Sequence, residues 1–384
     1  MLDLARFMAN AGAMSAFGAL LYSASIAATP RAWANASAVL GLAGLASWAS
    51  LAFDAPLTDV LAHTWFGHVA IARFVLLALA MATPRRLAPL PAGASLAAGA
   101  LHGHAMAMGD DPALVACEAL HLLAAGAWLG GLVPLAITLS PAHARRFFAL
   151  GLPCVLIIAA TALWQGWVLG GGLPGLFGTP YGALLAGKAA LFLTLAGLAA
   201  WHHWRRIARR SIAFEAGLGA ATILLAAILA NSSPGMHTQP SWPFPWRPTL
   251  EAWNDPDLRR DILHGGLDLF FVPAYPTSYA TSPDEPSPAS IARGIDLFAR
   301  HCAACHGPDG RGTNEANNLL APHLWDHLPG ELFWWISHGI PNPEGGNWMP
   351  GFADVLTEAD RWALIDALYA RNPYGAGTAV HHHH

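Results

Sequence analysis

Towards its carboxy-terminal end the chain reads His301-Cys302-Ala303-Ala304-Cys305-His306, a run that contains Cys-x-x-Cys-His. Two thiols at that separation can bond the two vinyl groups of a porphyrin, and the adjoining imidazole then faces the iron, so the spacing is that of a covalent c-type haem site. Two other chemistries use such a cysteine pair. Zinc needs a second pair of ligands and a thioredoxin-like couple needs a βαβ surround. The segment beyond Asn231 has no third cysteine and no βαβ pattern. A thioether follows 43 residues after His306, where Trp348-Met349-Pro350-Gly351-Phe352 forms an extended, proline-held stretch.

These groups must be positioned by flanking elements. Ile291, Ile295, Leu297 and Phe298 give the chain before the cysteines one apolar helical face, and Gly307-Pro308-Asp309-Gly310-Arg311-Gly312 after them is a tight loop. Thr357-Glu358-Ala359-Asp360 is a capping sequence for a closing helix whose apolar stripe is Trp362, Leu364, Ile365, Leu368 and Tyr369. Taken in that order, residues 288–373 resemble a class I mono-haem cytochrome c. The resemblance implies Cys302 and Cys305 as covalent anchors, His306 as proximal ligand and Met349 as distal ligand, with His323, His327 and His338 as the alternatives. A Met ligand raises the potential relative to two imidazoles. An iron ligated on both faces offers no substrate position, so this region is expected to move electrons.

The rest of the chain is of a different kind. Of the 384 residues, 54 % are hydrophobic and 11 % charged, with a mean hydropathy of +0.39, which an ordinary soluble domain at about 25 % charge does not show. Up to Asn231 the net charge is +5, and beyond it −9. Neither part has the basic stripe that nucleic acid requires. Eight apolar stretches of about the ~20 residues needed to span a bilayer lie near 11–28, 36–53, 65–82, 88–108, 114–139, 147–169, 181–204 and 212–231. The fold class expected is therefore all-α: a polytopic bundle over residues 1–231, a Pro/Trp-rich linker over 232–287 and a small cytochrome c fold over 288–380. His381 to His384 read as a tag. Arg31, the pair Arg85 and Arg86, the pair Arg145 and Arg146, and the cluster Arg205, Arg206, Arg209 and Arg210 occupy alternate connections. Cytoplasmic loops collect Lys and Arg, so both termini and the cytochrome domain are expected on the periplasmic side of a bacterial inner membrane.

Ionisable groups within spans are costly and are candidates for function. His68, His102, His104 and His121 fall at one outer depth on different spans, where imidazoles can grip a haem b iron or a copper ion. Met106 and Met108 beside His104 suit Cu(I). The alternative is that these histidines only hydrogen-bond between helices. Glu118 and Lys188, the one lysine of the chain, read as a charge pair or as propionate or proton partners, and Arg73 as a partner for a propionate or a lipid headgroup. His202 and His203 read as groups reaching the inner headgroups, and Cys117 and Cys154 as small core residues.

Leu120-His121 through Trp128-Leu129-Gly130-Gly131, Thr179-Pro180-Tyr181-Gly182 through Lys188, and Arg210-Ser211-Ile212-Ala213-Phe214-Glu215 resemble the CopD copper-resistance membrane family. So do Gly103-His104-Ala105 and Trp65-Phe66-Gly67-His68 through Arg73, and the resemblance extends over roughly residues 1–250. It implies an eight-helix bundle associated with copper handling, some relatives holding haem b instead. Where many relatives have Asn-Arg at the end of the seventh span, this chain has Trp201-His202-His203-Trp204. Three functions follow as expectations. The first is a membrane-anchored electron-transfer protein, an oxidoreductase in that sense, pairing haem c with a haem b or copper site and fed by quinol or a redox partner protein. The second is a copper uptake or handling protein whose cytochrome sets the copper redox state. The third is an anchor that docks a cytochrome to a terminal oxidase. Within the linker, His237 and His264 read as surface histidines, and Trp242, Phe244 and Trp246 as an interfacial belt.

Overall fold

The computed structural model describes residues 1–53, 56–102, 112–204, 208–235, 238, 275, 277–278, 280–313, 316, 318–321, 324–325, 327–341 and 347–372, with 174, 203 and 204 described by backbone alone. It divides into two compact units: Met1–Gly166 with Leu184–Ser232, and Trp167–Ala183 with Ser233–His382. The expected linker and His104, Met106, Met108, His237, His264 and His323 lie largely or wholly outside the described residues.

The helices of the amino-terminal part are α1 (Leu2–Ser25), α2 (Arg31–Leu51), α3 (Leu57–His63), α4 (Trp65–Ala82), α5 (Pro89–Ala97), α6 (Pro112–Leu129), α7 (Leu132–Ile137), α8 (Pro141–Gly170), α9 (Gly172–Gly178), α10 (Pro180–Trp204) and α11 (Arg209–Leu229). Seven helices among the described residues are long and apolar enough to cross a bilayer, α6 and α7 counting together as Pro112–Ile137. The stretch expected as a fourth span differs. Its described part is α5 followed by a 3₁₀ turn, Ala98–His102, and 103–108 lie outside the described residues. Pro89, Pro91, Gly93 and Gly99 are poor material for a long helix.

The first span also starts earlier than its hydropathy indicates, at Leu2 instead of residue 11. Arg6, which precedes the apolar stretch, is buried and donates through Nη1 to Ala230 O and Asn231 Oδ1, both at 2.7 Å. Small residues bring α1 against its neighbours. A Cβ on Gly12 would stand 2.2 Å from Gly41 N in α2, and one on Gly18 would stand 2.3 Å from Gly126 O in α6. In a bilayer, where apolar surface alone gives no drive to associate, such backbone approach supplies the packing.

The carboxy-terminal domain comprises α12 (Pro288–His301), α13 (Ala303–His306), α14 (Pro329–His338), the short strands β1 (Ile340–Pro341) and β2 (Asn347–Met349), and α15 (Glu358–Arg371). The strands pair antiparallel, with Ile340 opposite Met349. Capping boxes begin α12, at Ser287 and Ser290, and α15, at Thr357 and Asp360 as expected. The two helices cross with backbones nearly touching, since a Cβ on Gly294 would stand 1.9 Å from Ala363 O. Leu297, Phe298, Leu332, Phe333, Trp362 and Leu364 form the core beneath them.

Helix α14 has no counterpart in the sequence reading, although Pro329 at its first turn and Glu331 behind it are start signals. Glu331 is fully buried and satisfied: Ser278 Oγ donates to Oε1 at 3.1 Å and His327 Nδ1 lies 2.9 Å from Oε2. Thr277 Oγ1 donates to Gly330 O at 2.7 Å. Thr277, Ser278 and Ala280, read as linker, thus pack on this domain.

Candidate functional site

Around the cysteines, the fold does locally what the spacing requires. His306 N–H donates to Cys302 O at 2.9 Å and Cys305 N–H to the same oxygen at 3.2 Å. This single helical turn puts residues 302, 305 and 306 on one face. Gly307 and Gly310, both at φ +78°, then fold the chain back, and Gly312 N–H closes the loop on His306 O at 2.8 Å. A side chain at either glycine would strain the backbone.

The segment that follows Met349 reaches this region. Phe352 N–H donates to Ile336 O at 2.9 Å and Ala353 N–H to Ser337 O at 3.2 Å, which ties the loop to the end of α14. The rings of Phe352 and His301 then meet at 6.3 Å. The residue before Cys302 and the residue three after Met349 are thereby in contact, though 51 positions apart in sequence.

The residues present fit a covalently attached haem. Cys302, Leu319, Leu320, Trp335, Ile336 and Phe352 pack half-buried against one apolar cluster. Trp325, in the same cluster, buries an indole N–H for which the described residues supply no acceptor. No disulfide joins Cys302 and Cys305, so both sulfurs are available for thioether bonds. The alternative ligands are engaged otherwise: His327 with Glu331, and His338 with Trp334 O at 3.1 Å while stacking on the Trp334 ring.

Of the four outer histidines, His68, His102 and His121 are among the described residues. Among the described residues, no three His, Cys, Asp or Glu come together as a metal-holding group. His68 is exposed, with Nε2 3.1 Å from Ala62 O. His102 is buried with both nitrogens occupied, Nε2 against Phe66 O and Nδ1 against Arg73 Nη1, each at 3.1 Å. A carbonyl only accepts, so Nε2 carries the proton and Nδ1 accepts from the guanidinium. The ring stacks on Phe66 at 4.3 Å and meets Trp48 edge-on at 5.0 Å. Arg73 completes its bonding with Ser95 O at 3.2 Å and Asn10 Oδ1 at 3.4 Å. This joint holds α1, α4 and the 3₁₀ turn together and leaves His102 no lone pair.

His121 is arranged differently. Its Nδ1 lies 2.8 Å from Thr161 Oγ1, and that hydroxyl sits 2.7 Å from Ile157 O. With the hydroxyl proton on that carbonyl, the oxygen accepts from Nδ1–H. The Nε2 lone pair of His121 is then free of described partners. Lys188 is a charge neighbour of His121, and Glu118 of both Lys188 and Arg6, but no direct ion pair joins Lys188 to Glu118 among the described contacts.

A second buried pair lies elsewhere in the bundle. His202 Nδ1 stands 3.1 Å from Glu215 Oε2, so His202 is held by a carboxylate within the protein instead of reaching for headgroups. The signal was a lone Glu six residues into an apolar span, and its partner, thirteen residues earlier, is set by helix packing alone.

Fold and site together define a membrane-spanning helical bundle joined to a cytochrome c domain. Residues 141–229 match the family model Copper resistance protein D, and residues 289–366 match that of cytochrome C oxidase, cbb3-type, subunit III. Among curated proteins, the chain is 28 % identical over 153 residues to Copper transport protein CutJ of Bacillus subtilis, covering 35 % of this chain and 28 % of that protein. It is 29 % identical over 93 residues to a thiosulfate dehydrogenase of Stutzerimonas stutzeri, covering 21 % of this chain and 28 % of that one. It is 33 % identical over 73 residues to cbb3-type cytochrome c oxidase subunit FixP of Sinorhizobium medicae, covering 18 % and 25 %. The chain thus spans about a quarter of the length of these relatives. No solved structure matches. The matches bear out both resemblances, CopD over a shorter stretch than the residues quoted for it, and support a membrane-associated electron-transfer or copper-related role.

Proposed function

We propose that the chain is a membrane-anchored electron carrier, with a haem c in the carboxy-terminal domain and one further redox centre, haem b or copper, in the outer half of the bundle. When bound, haem c supplies a one-electron iron couple. Cys302 and Cys305 would anchor it and His306 and Met349 would ligate its iron, and the Phe352–His301 contact ties the segment after Met349 to the residue before Cys302. That contact is the observation that carries the reading, because it joins the two halves of a ligand set that the sequence separates. Both faces being held, these residues exclude a substrate from the iron and confine the domain to electron transfer.

Within the bundle, His121 is the residue assigned to the second centre, and Thr161 fixes its tautomer. His102 and Arg73 serve as the structural joint described above, and His68 and His104 remain the candidates for a second ligand. The domain boundaries proposed are 1–231 for the bundle and 288–380 for the cytochrome, with Thr277, Ser278 and Ala280 of the intervening segment packed on the latter, and the cytochrome faces the periplasm, where redox partner proteins or quinol deliver and take electrons.

Pyridine haemochrome analysis with metal determination on the purified protein tests this. One haem c with either one haem b or one copper per chain is expected, and haem c alone refutes the second centre. A copper-handling role, with the cytochrome setting the copper oxidation state, is the second reading. It is favoured by the CopD match over 141–229 and the likeness to CutJ, and net copper uptake by vesicles carrying the protein distinguishes it.

A further inference from the structure

The buried pair His202–Glu215 lines a cavity of about 190 Å³ that the electron-transfer reading does not use. Its wall is apolar and aromatic, from Trp128, Phe147 and Phe148 to Ala196 and Ile212, and Arg145 stands among its few polar groups. Glu215 is 3 % exposed, although it sits on a membrane-spanning helix. Burying a carboxylate and an imidazole there is costly unless something needs them.

The pair has a direction. His202 Nδ1 and Glu215 Oε2 share one hydrogen bond, and with Nδ1–H donating to the carboxylate, Nε2 presents a lone pair. Nε2 has no partner among the described residues. An imidazole oriented by a carboxylate in this way is an acceptor for an O–H group.

Size and charge narrow the occupant. A cavity of about 150 Å³ accommodates benzene, so this one accommodates a substituted six-membered ring. A metal ion finds no three clustered ligands here among the described residues. A bare acyl chain leaves the polar pair facing hydrocarbon. We propose that this cavity binds the ring of a lipid-soluble hydroquinone, one phenolic O–H donating to His202 Nε2 and the ring lying among Trp128, Phe147 and Phe148. The site is separate from the histidines assigned to the second redox centre, and its binding does not depend on what that centre holds.

The test uses full-length protein in nanodiscs, with haem iron kept reduced by ascorbate so that binding is read without electron transfer. A ubiquinol bearing one isoprene unit is the probe, measured by equilibrium dialysis. Saturable binding of one molecule per chain is expected. His202→Ala and the isosteric Glu215→Gln weaken it about tenfold, and Ala196→Phe, which fills the cavity, abolishes it. Trp128→Phe keeps most of the binding and loses most of the ubiquinol-induced quenching of tryptophan fluorescence. Uptake that rises without saturation, or that is equal in Glu215→Gln and the parent protein, overturns the proposal. So does stoichiometric copper capture at His202 without ubiquinol binding. Should Ala196→Phe fail to fold, Glu215→Gln decides alone, since it preserves shape.

Discussion

Replacing Thr161 by Val tests the assignment of His121 most directly. The two side chains have nearly the same shape, so packing in this buried position is conserved while the hydroxyl is lost. In the parent structure Thr161 Oγ1 accepts from His121 Nδ1–H at 2.8 Å and donates to Ile157 O at 2.7 Å. Without it, the Nδ1–H tautomer buries an unsatisfied donor, at a cost of about 1–3 kcal/mol, and the proton's preference moves towards Nε2. At roughly 1.4 kcal/mol per factor of ten, that is about a 5- to 150-fold loss in the tautomer whose Nε2 can ligate. Outer-shell partners of ligating histidines typically cost 10- to 100-fold in metal affinity when removed, in the same range. The assay is retention of the bundle's haem b or copper through dialysis, followed by visible and electron paramagnetic resonance spectra. The covalent haem c serves as an internal reference for protein amount. Thr161→Ser, which restores the hydroxyl, should recover retention. A Thr161→Val protein that keeps its full bundle cofactor with an unchanged spectrum would show that His121 is not the ligand.

Further outcomes are expected in the carboxy-terminal domain. Met349→Ala should keep the covalent haem, lower its midpoint potential and admit an external ligand such as imidazole, as a spectroelectrochemical titration will report. Gly294→Ala forces α12 from α15, since the new Cβ would stand 1.9 Å from Ala363 O. Overpacking of about 1–3 kcal/mol should lower the domain's melting temperature by some 4–8 °C per kcal/mol, read from the Soret band on heating. Asp360 is held below its ordinary carboxylate range, first by the Thr357 hydroxyl and then by Arg293. Its contribution is therefore present above the unfolded value near 4 and lost as pH falls through the lowered folded value. Burial raises Asp366 and works in the opposite sense. Thr357→Ala should flatten the acid end of the stability profile, and an unchanged profile would remove Asp360 from the account.

Much of the architecture follows from composition and period alone. Trp65–Ala82 was legible to the residue because an apolar run bounded by Thr64 and Thr83 admits one helix. Thr357 was legible as a cap because side chain and backbone bond within four residues. The early start of α1 was hidden, since Arg6 becomes tolerable in a span only through Ala230 and Asn231, more than 220 positions away. The stretch beginning at Pro89 reads as a span by hydropathy, but its described part breaks into α5 and a 3₁₀ turn.

The chain by itself determined which chemistry is on offer: a thiol pair with an imidazole, a thioether in a proline-held loop, and ionisable groups in apolar spans. These are matters of residue type and short spacing, to which local geometry is sufficient. Which groups meet was decided by tertiary structure. His102 and His121 look equivalent in sequence, yet Arg73 and Phe66 occupy both nitrogens of one while Thr161 leaves the other a lone pair. His202 found a carboxylate that no short spacing predicts. A hydrogen bond has a direction as well as a length, and that direction is set by the partner that packing brings across from another helix.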